Sequence, residues 1–121
     1  MNIVLFLLGL ASAPTYASPA LQPTPLPNES YGEAYTAVGS LEDGSFVLLQ
    51  LMFTNAGVGS RKAACRALWV PPGKPGLNAS SHMSSKEWSY DEAKETLTAG
   101  TCVLGTVDGG VRFHADVPDL R

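Results

Sequence analysis

Glu33 stands between Tyr31 and Tyr35, and in an extended chain residues two apart project from the same side. A carboxyl group enclosed there by apolar surroundings keeps its proton and can serve as a general acid. On an open strand the same glutamate is a solvated charge with no chemistry attached. Cys65 and Cys102 fall in separate predicted strands and are expected to form a disulfide. Closing that loop stabilises by about 3–4 kcal/mol on the chain-entropy model, and the competing arrangement is two buried free thiols. His82 and His114 are the two histidines. Neither has a cysteine or carboxylate at metal-ligand spacing, so no metal is expected. Gly57-Val58-Gly59-Ser60-Arg61-Lys62 has half the form of a phosphate-binding turn. It lacks the third glycine and leads into a predicted strand rather than a helix, so it reads as a loop. A G-x-S-x-G elbow, a P-loop and an H-E-x-x-H pattern are all missing from the sequence, and no cofactor is expected. Asn28-Glu29-Ser30 and Asn78-Ala79-Ser80 are N-glycosylation sequons, of consequence only in a host that glycosylates secreted chains.

The elements that would position these residues divide the chain into three parts. Residues 2–13, Asn-Ile-Val-Leu-Phe-Leu-Leu-Gly-Leu-Ala-Ser-Ala, form an apolar run of signal-peptide length. A membrane span needs about 20 apolar residues, so no transmembrane segment is expected. A small-residue site at Thr15-Tyr16-Ala17 places cleavage before Ser18, although the run is preceded by no lysine or arginine. Residues 1–17 thus read as a signal peptide, against the competing reading of a buried N-terminal strand or helix. Residues 18–30 carry alternating prolines and read as an extended linker with no core of its own. Residues 31–121 form the folded domain. Export implies a secreted or periplasmic location.

From Tyr31 onward the pattern is β. Alternation over Tyr31–Val38 is followed by Glu42-Asp43-Gly44-Ser45, and Asp-Gly between apolar runs is a strong hairpin signal. Phe46–Thr54 is nearly all apolar, which predicts a central strand covered on both faces. Ala63–Val70 predicts a third strand, and residues 71–81 a Pro, Gly, Asn and Ser loop. Further strands are predicted at Glu87–Tyr90, Thr96–Thr98, Thr101–Val107 and Val111–Val117, with turns at 91–95 and 108–110. The fold class is therefore all-β: an antiparallel meander of about six to seven strands, forming a small or partial barrel or sandwich. The sequence stops at Pro118-Asp119-Leu120-Arg121 directly after a strand, which admits a truncated reading frame.

Composition narrows the function classes. The chain has 121 residues, 45% hydrophobic and 16% charged, a balance that sets it apart from disordered chains. Its net charge of −3 offers no basic field for a phosphate backbone, so no nucleic-acid partner is expected. A folded part of about 90 residues is marginal without a staple or a partner.

Gly32-Glu33-Ala34-Tyr35-Thr36, the Leu41-Glu42-Asp43-Gly44-Ser45-Phe46 hairpin, Leu49-Gln50-Leu51 and Thr54-Asn55-Ala56-Gly57 together resemble the first barrel of a lipocalin-like family. That family includes carotenoid hydratases and survival-factor-type proteins. Glu87-Trp88-Ser89-Tyr90 and Leu97-Thr98-Ala99-Gly100 are similar to paired strands that it carries further on. The resemblance implies lipocalin-like barrels around a hydrophobic cavity, on chains over twice this length, and no family catalytic residue maps onto this sequence. Three functional expectations follow. The first is a binder of a small hydrophobic molecule, with Tyr35, Gln50 and Trp69 as the ligand-binding residues and Gln50 as the one orienting polar group. The second is a fragment or relative of a hydratase or cyclase acting on an apolar polyene. There Glu33 would protonate an alkene and the faces of Tyr35 and Trp69 would stabilise the cation. The third is a secreted interaction module whose open sheet edges pair with another chain or with a second copy.

Overall fold

The computed structural model describes residues 3–8 as backbone, and residues 21–108 and 110–117 in full. These residues form nine strands and no helix: β1 (Ile3–Leu8), β2 (Gly32–Ser40), β3 (Phe46–Thr54), β4 (Lys62–Val70), β5 (Leu77–Met83), β6 (Trp88–Asp91), β7 (Thr96–Ala99), β8 (Cys102–Val107) and β9 (Gly110–Ala115). One sheet has the order β2-β3-β4-β5 and the other β1-β9-β8-β7-β6. Every pairing is antiparallel. The protein is all-β, as expected, with more strands than the six or seven expected.

Strict alternation builds the interior. In the first sheet, Glu33, Phe53, Ala63 and Met83 lie in one cross-strand row; the next rows are Tyr35, Leu51, Cys65, Ser81 and then Ala37, Leu49, Ala67, Ala79. Facing them, the second sheet presents Trp88, Ala99, Cys102, Ala115 and Tyr90, Leu97, Leu104, Phe113. These two inner faces form one buried cluster. Leu49, Leu51 and Leu97 are wholly inaccessible, so the middle of the sandwich is packed solid. The disulfide Cys65–Cys102 crosses this core from β4 to β8, with its Cα atoms 6.4 Å apart.

The hairpin between β2 and β3 closes as its sequence predicts. Leu41 N–H donates to Ser45 O at 2.8 Å, and Asp43 Oδ1 accepts the Ser45 N–H at 2.8 Å. Gly44 takes φ +82°, a left-handed conformation open to glycine at little cost.

Two expectations are corrected. Residues 71–81 are a loop only in their first half, because β5 begins at Leu77. Its asparagine and serines disfavour strands by propensity, yet Ala79 and Met83 are buried and Asn78, Ser80 and His82 exposed. Half-burial against β4 outweighs the weak local preference. The described part of the 18–30 segment is extended but is no free linker. Leu21 is 3% exposed and belongs to the core. Leu26 and Asn28 offer their carbonyls to the Asn55 side chain at 2.6 and 3.1 Å. Residues 1–17, expected as a signal peptide, lie outside the described residues except for β1, which runs beside β9 in register from Ile3 opposite Ala115 to Leu8 opposite Gly110.

From β2 to β9 the chain is a single meander, divided between the sheets after β5. Closing it into a barrel would require β2 to pair with β9, whose outer edge carries β1 instead, and β5 to pair with β6, and neither pairing is made. The result is a flattened sandwich with two seams. Leu21 lies at the seam between β2 and β9.

Candidate functional site

Tyr31, Glu33 and Tyr35 converge at one end of the sandwich, on the inner face of β2 and just before it. Tyr31 Oη donates to Glu33 Oε2 at 2.7 Å and Tyr35 Oη donates to Glu33 Oε1 at 2.6 Å. The Thr24 backbone N–H adds a third bond to Oε2 at 3.0 Å. The i, i+2 spacing that sets the three side chains on one side makes this possible, with Glu33 reaching both of its neighbours.

Burial lifts the carboxyl pKa of Glu33, but the two phenols and the Thr24 N–H outweigh it and hold the group below the usual carboxylate range. Burial, together with the hydrogen bond and the charge of Glu33, pushes the Tyr31 phenol up to about 12. The Tyr35 phenol rises for the same reasons in the same order. Near neutral pH the cluster is therefore a fixed anion clamped by two protonated phenols. The expected general acid needs a Glu33 that retains its proton, and these donors favour the ionised form instead. What the cluster can do is accept hydrogen bonds and, through phenol lone pairs, orient a donor brought near Tyr35.

An aromatic chain extends from this cluster across the sandwich. Tyr35 meets Phe53 edge-on at 6.2 Å between centroids, and Phe53 meets Trp88 at 4.7 Å. Trp88 Nε1–H donates to the Arg61 carbonyl at 2.7 Å, which ties the second sheet to the β3–β4 loop. Arg61 sits at φ 52°, and its N–H is held by Asn55 Oδ1 at 2.7 Å. Asn55 is 8% exposed and joins the proline-rich segment to this loop. Gly57–Arg61 is a loop, as read from the sequence, and Lys62 opens β4.

Beside Tyr35, at the β2–β9 seam, lies a cleft of about 270 Å³ lined by Leu21, Tyr35, Thr36, Ala37, Leu104, Val111 and Phe113. A larger depression of about 460 Å³ lies at the β2–β5 sheet, with Ala34, Met52, Ala64 and His82 among its lining residues. Those four share one cross-strand row on the outward face.

Of the three residues expected to hold a ligand, only Tyr35 lines the seam cleft. Trp69 also faces inward, but it stands opposite Val47 whereas Tyr35 stands opposite Leu51, four positions along β3. Gln50 points outward, where its Nε2 donates to Thr36 Oγ1 at 2.9 Å. Alternation sends Leu49 and Leu51 into the core and Gln50 to the opposite, outward face. The three do not form one site, and the expectation of Gln50 as the polar group of an apolar pocket is corrected.

Leu21, Thr24, Asn55 and Trp88 belong to the site but carried no functional signal in the sequence. Asn55 stands at a strand end shortly before Gly57, which marks a turn, yet its partners at residues 26 and 28 are far away in sequence. Among the described residues no group of three His, Cys, Asp or Glu side chains gathers as a metal would require, and no helix is long and apolar enough to cross a membrane. Comparison of the chain with protein-family models, with curated proteins and with solved structures finds no match.

Proposed function

We propose that this chain is an exported β domain that binds a small, largely apolar molecule in the seam between β2 and β9. The observation that carries the reading is the apolar cleft of about 270 Å³ beside a hydrogen-bonded Tyr35. Apolar walls with one oriented polar group are the ordinary composition of a ligand site, and this one falls just below the usual range of about 300–1,000 Å³. The occupant is accordingly small, and its donor group meets the Tyr35 oxygen. The resemblance to a lipocalin-like family fits a hydrophobic ligand, but here the space between the sheets is filled and the ligand enters at the edge. The Cys65–Cys102 bridge is compatible with a secreted or periplasmic location. The hydratase or cyclase alternative loses support because Glu33 favours its ionised state.

The test is a titration of the exported protein with the fluorescent apolar probe N-phenyl-1-naphthylamine. Val111→Trp narrows the cleft and weakens binding roughly tenfold, equivalent to about 1.4 kcal/mol. Leu21→Ala widens it and leaves affinity equal or tighter. If both variants bind as the parent does, the seam is not the site.

A further inference from the structure

With β1 set aside, the two sheets end at β2, β5, β6 and β9, four edges that are protected unequally. An exposed edge invites pairing with another chain, and proteins blunt such edges with short strands, prolines or polar residues. The β6 edge is four residues long. β5 presents Asn78, Ser80 and His82 on its outward side. β2 is flanked by the proline-bearing segment that includes Leu21 and Thr24, which binds Glu33. β9 carries Arg112 and His114 on its outward side, but what covers its backbone edge is β1, which lies along all six of its residues, and β1 belongs to the segment read as a cleaved leader.

We propose that removal of residues 1–17 converts β9 into a strand-accepting edge, and that its occupant is an extended apolar segment of another polypeptide, entering antiparallel as β1 does. This rests on the export reading above. The chemistry of the partner is indicated by what the edge already accommodates, the uncharged run Ile-Val-Leu-Phe-Leu-Leu. β9 directs Phe113 and Ala115 into the core and leaves its backbone edge to pair, so affinity would come from main-chain hydrogen bonds and selectivity from alternate side chains. A second copy fits less well. Antiparallel self-pairing centred on Arg112 sets that residue opposite itself. Basic groups directly opposed across strands disfavour the pair.

The experiment is hydrogen exchange read by mass spectrometry on protein recovered from the exported fraction, with its intact mass measured first. The probe is an acetylated peptide, Asn-Ile-Val-Leu-Phe-Leu-Leu followed by three lysines, compared with a scrambled control. The expected result is a mass beginning at Ser18, fast exchange at those alternate amides of Gly110–Ala115 that point away from β8, and roughly tenfold slowing there when peptide is present at ten times its Kd. Protection of β3 stays constant and reports an intact fold. Two results overturn the proposal while leaving export standing: β9 amides that the peptide does not slow, or β9 amides already protected in a dimer of the processed chain. An uncleaved mass overturns the export reading and the proposal together.

Discussion

Replacing Glu33 by glutamine preserves its shape and removes its charge, which tests whether the anion organises the site. The carboxylate accepts bonds from Tyr31 Oη, Tyr35 Oη and Thr24 N–H. A hydrogen bond to a charged group contributes about 1.5–3 kcal/mol and a neutral one about 0.5–1.5, a difference of about 1 kcal/mol per bond. Three bonds give about 3 kcal/mol, and solvent on the open side of this half-buried group reduces the expected loss to about 1–2 kcal/mol. The amide also turns a donor toward one of the phenols. The pH dependence has a definite sign. Folded Glu33 has a lowered pKa, so its contribution is present above the unfolded value of about 4.3 and is lost as pH falls through the folded one. Tyr31 is raised to about 12, so its contribution is full below about 10 and is lost as pH climbs through the folded value. The difference between parent and Glu33→Gln is therefore flat from about pH 5 to 9 and shrinks on the acid side. Urea unfolding across pH measures the loss, and ultraviolet titration of phenolate absorbance shows Tyr31 and Tyr35 ionising at lower pH in the variant. Superimposable phenol titrations, or an equal stability difference at pH 3 and pH 7, would refute this account of the cluster.

Two further outcomes follow from the scaffold. Reducing the Cys65–Cys102 bridge, whose cysteines are 37 residues apart, destabilises by about 4 kcal/mol on the loop-entropy model; circular-dichroism melts with and without reductant should differ by roughly 15–30 °C. Asn55→Ala removes the donors to Leu26 O and Asn28 O and the acceptor for Arg61 N–H. A loss of about 2–4 kcal/mol is expected in denaturant titrations, with Asn55→Asp intermediate because it keeps the acceptor.

The fold was legible where alternation, turn chemistry and half-sequence apolar patterning agree. Asp43-Gly44 marked its hairpin, and two cysteines in separate strands raised a bridge against two free thiols, a choice made only by the adjacency of β4 and β8 across the core. β5 was hidden because Asn78, Ser80 and Ser81 oppose strand formation locally and only contact with β4 reveals the pattern. β3 misled in a different way: Phe46, Leu48 and Met52 are apolar on the outward face, which concealed the alternation and made Gln50 look enclosed. At the site, the spacing of Tyr31, Glu33 and Tyr35 showed that they would meet, but not which proton each would keep. That depends on Oη–carboxylate distances and on Thr24, which approaches from nine residues away. The buried role of Leu21 was illegible because proline-rich composition describes backbone stiffness and says nothing of where the segment docks.

The division of the meander after β5 has a consequence for how the chain can be cut. Residues 32–83 form one whole sheet and residues 88–115 supply four strands of the other, so no strand of either block is interleaved with the other. A single nick in the exposed turn at residues 84–87 interrupts no strand and leaves residues 32–83 and 88–115 each an uninterrupted meander, with β1 of the first fragment lying beside β9 of the second. The disulfide then becomes their sole covalent link, and the nicked protein would migrate as one species until it is reduced. That arrangement makes this turn a natural point for split-protein complementation.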